Sequence, residues 1–214
     1  MKNLISIMLT MGLTSLVSAV ALADGDSARG EALAAACVAC HGIDGNGTAP
    51  TFPKLAGLGE RYLLNQLIDI KTLDRVVPEM AGLLNNLSEQ DLADLAAYYD
   101  GQTMQLSGAN NATVQVYTGE VVDGVALGEA LYRAGNLEKK IPACTGCHSP
   151  RGLGNEPAAF PRLSGQYAQY TEKQLRDFRA GNRINDEAMI MRTVASRMSD
   201  AEIQAVANYI SGLH

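Results

Sequence analysis

Apolar positions along the chain fall into two similar series, each reading as helices separated by loops. In the first series a short helix is expected from Ala28 to about Ala36, with Asp26 and Ser27 as candidate N-caps. From about Glu60 to Leu73, the residues Tyr62, Leu63, Gln66, Leu67 and Ile70 recur at helical spacing. Ser88 opens a further helix, with Asp91 as a weak capping-box partner and Leu92, Leu95, Ala96 and Tyr99 on its apolar face, and Gly101 is placed to end it. The second series keeps this order. It predicts a helix from about Asp123 to Ala134 and another from about Gln169 to Ala180. A last helix starts at Ser199, with Glu202 as its capping-box partner, and buries Ile203, Val206, Ala207 and Ile210 before ending near Gly212. Only Thr113 to Tyr117 hints at β-structure, so the fold class is all-α.

The two series also match residue by residue. Pro53-Lys54-Leu55-Ala56-Gly57 is answered by Pro161-Arg162-Leu163-Ser164-Gly165, and Tyr62, Gln66 and Leu67 by Tyr170, Gln174 and Leu175. Ser88, Tyr98 and Gly101 return as Ser199, Tyr209 and Gly212. This is the pattern of a duplicated domain, with boundaries at 24–101 and 124–214. Residues 102–123, rich in Gly, Asn, Thr and Val with few charges, read as an extended linker. Asn136-Leu137-Glu138-Lys139-Lys140 has no counterpart in the first series and is expected to be a surface loop. Each unit also contains a Gly- and Pro-rich stretch, Gly42 to Pro53 and Ser149 to Pro161, too irregular for helix or strand and suited to wrapping around something.

With 5% aromatic residues and no tryptophan in 214 residues, the protein-only core of two such small units looks thin. A large apolar cofactor would fill it, and the cysteines say which. All four lie in Cys37-Val38-Ala39-Cys40-His41 and Cys144-Thr145-Gly146-Cys147-His148. C-x-x-C-H is the pattern for covalent attachment of haem c, with two thioethers to the porphyrin and the histidine as axial iron ligand. Disulfides would leave both histidines unexplained, and a four-cysteine zinc site is disfavoured by the long separation of the pairs. A thioredoxin-like motif would need a βαβ context that is absent. Two covalently bound haem c groups are therefore expected, each wrapped by one small helical domain.

The second axial ligand decides the chemistry, since His/Met ligation suits electron transfer whereas an open position permits catalysis or gas binding. Each unit offers methionine between its middle and last helices. Met80 precedes the Ser88 cap in the first. In the second Met189 and Met191 compete, and the register counted back from Ser199 favours Met191. A diheme redox enzyme, of peroxidase or sulfur-compound dehydrogenase type, would need one exchangeable ligand. The matched methionines argue against it, as does the lack of further histidines beyond His214.

At this point the sequence resembles class I cytochromes c, which carry C-x-x-C-H, a Pro-x-Leu-x-Gly segment and a methionine ahead of a C-terminal helix. Two such domains in tandem resemble the diheme cytochrome c4 family. The resemblance implies that the carbonyls of Pro53 and Pro161 accept hydrogen bonds from His41 and His148. It further implies that Gly30 and Gly128 let the first and last helices of each domain cross beside Tyr98 and Tyr209, and that the haems face each other. The implied role is transfer of single electrons between respiratory-chain donors, such as a membrane quinol-oxidising complex, and an acceptor such as a terminal oxidase.

Lys2, the apolar run Leu4 to Val20 and Ala21-Leu22-Ala23 read as a signal peptide spanning 1–23, with an uncleaved anchor as the rival, so a periplasmic address is expected. The formal net charge is −6, with the acidic excess in the first unit and a slight basic excess in the second. That balance excludes nucleic acid as a natural partner and fits oriented encounter with redox proteins. Arg176, Arg179 and Arg183 are candidates for neutralising haem carboxylates or for peripheral contact with a membrane face. A monomer is expected.

Overall fold

The computed structural model describes residues 24–214, so the signal-peptide reading of 1–23 lies outside the described residues. The first half contains α1 (Ser27–Leu33), α2 (Val38–His41), α3 (Glu60–Thr72) and α4 (Glu89–Asp100). Between the halves, β1 (Thr113–Gln115) pairs antiparallel with β2 (Val121–Asp123), with Val114 opposite Val122. The second half contains α5 (Gly124–Ala134), α6 (Thr145–His148), α7 (Ala168–Ala180), α8 (Ile190–Ala195) and α9 (Asp200–Gly212). Among the described residues no helix is long and apolar enough to cross a membrane.

Local chemistry sets the helix starts. The Asp26 carboxylate accepts from the backbone N–H groups of Ala28 and Arg29, and Asp123 does the same for Val125 and Ala126. Full capping boxes join Ser88 to Asp91 and Ser199 to Glu202. Lys139 from the extra loop adds an ion pair to Glu202 at 2.9 Å. Ser199→Ala is expected to lower stability by about 1 kcal/mol, the usual cost of losing an N-cap hydroxyl, read as a shift of the denaturant midpoint at unchanged slope.

Each half is built on a crossing of its first and last long helices, α1 with α4 and α5 with α9. Glycine makes both crossings possible. A Cβ at Gly30 would lie 2.0 Å from the Asp94 carbonyl oxygen, and one at Gly128 would lie 2.2 Å from that of Ala205. Around the crossings Leu63, Leu95, Tyr98 and Tyr99 are buried in the first half, and Leu131, Tyr132, Ile203, Val206 and Ile210 in the second.

Two segments depart from the sequence-based expectation. The first helix does not run to Ala36 in one piece; it tightens into a 3₁₀ turn over Ala34–Ala36 just before Cys37, whose N–H reaches back to Ala34. The stretch around Met189 is not merely a connection. It holds α8, a helix of six residues and too short to show periodicity, which begins where Met189 takes a left-handed conformation (φ 58°). Residues 102–123 run between the two halves and make contacts along the way. Met104 is buried, the Lys54 ammonium donates to the Gln105 carbonyl, and the Ser107 hydroxyl donates to the Gly165 carbonyl at 2.9 Å. Asn110 and Asn208 exchange two hydrogen bonds, and Val114 packs against Ala201 and Ala205 of α9. Composition suggested a linker, and side-chain partners far away in sequence strap it to both halves.

Candidate functional site: two cavities on one polar wall

In the first half, α2 and the turn before it put Cys37, Cys40 and His41 within one short stretch, and the Gly42–Pro53 loop folds back over it. The Pro53 carbonyl oxygen lies 2.9 Å from His41 Nδ1. A carbonyl can only accept, so Nδ1 carries the proton and the Nε2 lone pair is left free. In the second half the Pro161 carbonyl meets His148 Nδ1 at the same 2.9 Å. Burial lowers the pKa of both imidazoles more than these carbonyls raise it, which favours the neutral form that a metal ligand needs.

A cavity of about 360 Å³ opens beside His41, lined by Cys37, Leu63, Ile70, Met80 and Leu95 among others. Met80 ends a 3₁₀ turn that starts at Pro78, and it packs near Ile70, Leu84 and Leu92. A second cavity of about 720 Å³ is lined by Cys144, Cys147, His148, Phe178, Met191 and Ile210. Met191 is partly buried against the second core, whereas Met189 is 54% exposed and does not line this cavity. No disulfide joins the four cysteines, so each sulphur is available to form a thioether. Voids of this size are foreign to a close-packed interior. Apolar walls, cysteine and imidazole on one side and a methionine on the lining together fit a haem joined through thioethers.

The cavities share a wall between the halves. Tyr62, Gln66, Tyr170, Gln174 and Arg183 line both. Arg75, at the end of the first cavity, donates to Gln66 Oε1 at 2.9 Å, to Gln174 Oε1 at 3.0 Å and to the Tyr170 hydroxyl at 3.0 Å. Arg183 repeats the pattern with the halves exchanged: Gln174 Oε1 at 2.8 Å, Gln66 Oε1 at 2.8 Å and the Tyr62 hydroxyl at 3.3 Å. Burial raises the pKa of the Tyr62 phenol, but the two guanidiniums outweigh it and hold the phenol below its usual range. Both arginines are well placed to receive carboxylates of a bound cofactor.

Sequence reasoning did not find this wall. Gln66 and Gln174 were legible only as members of an apolar stripe, though a glutamine repeated at the same point of two such stripes was the available signal. The charge reading of Arg176 and Arg179 is corrected as well. Both pair with Asp200, at 2.7 and 2.5 Å, Arg176 also pairs with Glu172, and neither lines either cavity, so they do not face a cofactor there. Arg183 is buried at the wall and offers nothing to a membrane face.

The family model Cytochrome c matches residues 27–100 and again 125–214. The chain is 52% identical to cytochrome c4 of Pseudomonas aeruginosa, over 100% of this chain and 99% of that one. It is 51% identical to cytochrome c4 of Azotobacter vinelandii over the same shares. Its fold is similar to the crystal structure of reduced recombinant cytochrome c4 from Pseudomonas stutzeri, with a TM-score of 0.82 and 50% identity, covering 89% of this chain and 100% of the other. With two matched domains, two cavities and relatives aligned along the full length, the chain belongs to the cytochrome c4 family, electron-transfer proteins that carry two covalently bound haem c groups.

Proposed function

We propose that the chain is a periplasmic carrier of single electrons whose domains, residues 24–101 and 124–214 joined by 102–123, each hold one six-coordinate haem. His41 and Met80 ligate the first iron, and His148 and Met191 the second. Cys37 and Cys40, and Cys144 and Cys147, form the thioethers. The carbonyls of Pro53 and Pro161 keep each imidazole in the tautomer that presents Nε2 to the metal. The haems supply reversible one-electron chemistry; the chain orients them, excludes water from them and sets their electrostatic surroundings. Arg75 and Arg183 provide positive charge on the wall that both cavities share. With a methionine for each iron, no position is left for substrate, and the protein is a carrier rather than an enzyme.

One observation carries this reading: each cavity is lined by the histidine of its C-x-x-C-H motif and by methionine, Met80 in the first and Met191 and Met198 in the second. The donor we infer is a membrane quinol-oxidising complex and the acceptor a terminal oxidase, met by a monomer released from its signal segment 1–23. The test is spectroscopy of the oxidised holoprotein. Met80→His and Met191→His are each expected to remove one of two Met–iron charge-transfer bands, and Met189→His to remove neither. Ready carbon monoxide binding by the unmodified reduced protein, or a band lost with Met189→His, would sink the ligand assignment.

A further inference from the structure

Tyr99 is 3% exposed, yet its hydroxyl makes no hydrogen bond. A buried hydroxyl without a partner is costly, so a partner is expected to form once the neighbouring cavity is filled. Other buried phenols have no such deficit: Tyr98 beside it donates to the Ile43 carbonyl at 2.7 Å, and Tyr132 of the second half to the Ser149 carbonyl at 2.8 Å. Tyr99 lines the first cavity, beside the Cys37 thiol, and the contact with that thiol falls short of hydrogen-bond geometry. Its ring is fixed by an edge-on stack with Tyr98 at 5.0 Å. Gly45 crowds its other side, where a Cβ would lie 2.8 Å from the ring. The hydroxyl is thus aimed by packing rather than free to turn away.

The second half has no equivalent. Tyr98 matches Tyr209, so Tyr99 matches Ile210, which lines the second cavity with hydrocarbon.

We propose that the Tyr99 hydroxyl is a hydrogen-bond donor to the first haem site, directed at the Cys37 sulphur, and that it raises the reduction potential of that haem alone. The inference rests on the haem placement above. When the Cys37 S–H adds across a vinyl group, a carbon–sulphur bond forms and the hydrogen passes to the vinyl carbon. The sulphur then keeps only lone pairs and must accept. A donor's positive end beside the cofactor favours the form carrying one more electron, and low-dielectric surroundings strengthen the effect. Tyr99 is a positioning and tuning residue, not a ligand.

The test is a spectroelectrochemical titration of holoprotein carrying Tyr99→Phe, with Met80→His identifying the wave of the first haem. Tyr99→Phe is expected to lower that wave and leave the second in place. Tyr98→Phe, which removes a hydroxyl of the same half already bonded to the Ile43 carbonyl, is expected to move neither. The proposal is overturned if Tyr99→Phe leaves both potentials unchanged, shifts both together or moves only the second. Two haems per chain and two Met–iron bands in the unmodified protein test the ligand reading separately, so the two failures are distinguishable.

Discussion

A chain with Cys144→Ser and Cys147→Ser is expected to mature with one haem instead of two and with its second half unfolded. The cavity beside His148 measures about 720 Å³ and is walled by Leu175, Met198, Val206 and Ile210, which also belong to the second core. Void inside a protein costs roughly 24 cal/mol per Å³. Even if half of this space stays open to water, the penalty is on the order of 8 kcal/mol, comparable to the whole stability of a small domain. Intact mass would report the single haem, and hydrogen exchange would report lost protection in α5, α7 and α9. Protection retained throughout the second half would show that its protein core suffices without the cofactor.

Gly128→Val is expected to be clearly destabilising without touching a ligand. Its Cβ would sit 2.2 Å from the Ala205 carbonyl oxygen and 2.7 Å from the Tyr209 Cβ, so α5 and α9 would have to separate. Overpacking of this kind costs about 3 kcal/mol at the upper end of the usual range. The measurement is the denaturant midpoint of the holoprotein, with Gly101→Ala as control. A Cβ at Gly101 would meet its nearest neighbour at 3.4 Å, an ordinary contact, and a change below about 0.5 kcal/mol is expected there. Equal midpoints for the two variants would mean that the helix crossing is more pliable than its backbone contact implies.

What could be read from the sequence was what is local or periodic. Ser88 and Ser199 announce α4 and α9 because a capping box needs only four consecutive residues. The stripes of α3 and α7 follow from spacing, and the C-x-x-C-H motifs from a constraint so strict that few residues satisfy it otherwise. The choice between Met189 and Met191 rested on register, and in the structure Met191 lines the cavity while Met189 points to solvent. What the sequence hid depends on partners distant in the chain. Asp200 meets Arg176 only after the chain has turned back through α8, and Gln66 meets Arg183 only across the two halves. The strap at 102–123 escaped notice for the same reason: nothing in Ser107 or Asn110 announces Gly165 or Asn208.

The wall between the cavities has a consequence for how the protein behaves on dilution. Each arginine binds the glutamines of both halves and the tyrosine of the opposite one, so the two halves meet as identical subunits do across a two-fold axis. In a true homodimer such a contact would come apart as concentration fell. Here residues 102–123 join the partners covalently, and docking becomes an intramolecular equilibrium governed by effective concentration, not by how much protein is present. The spacing of the two redox centres is then the same in a single isolated molecule as in a crowded compartment.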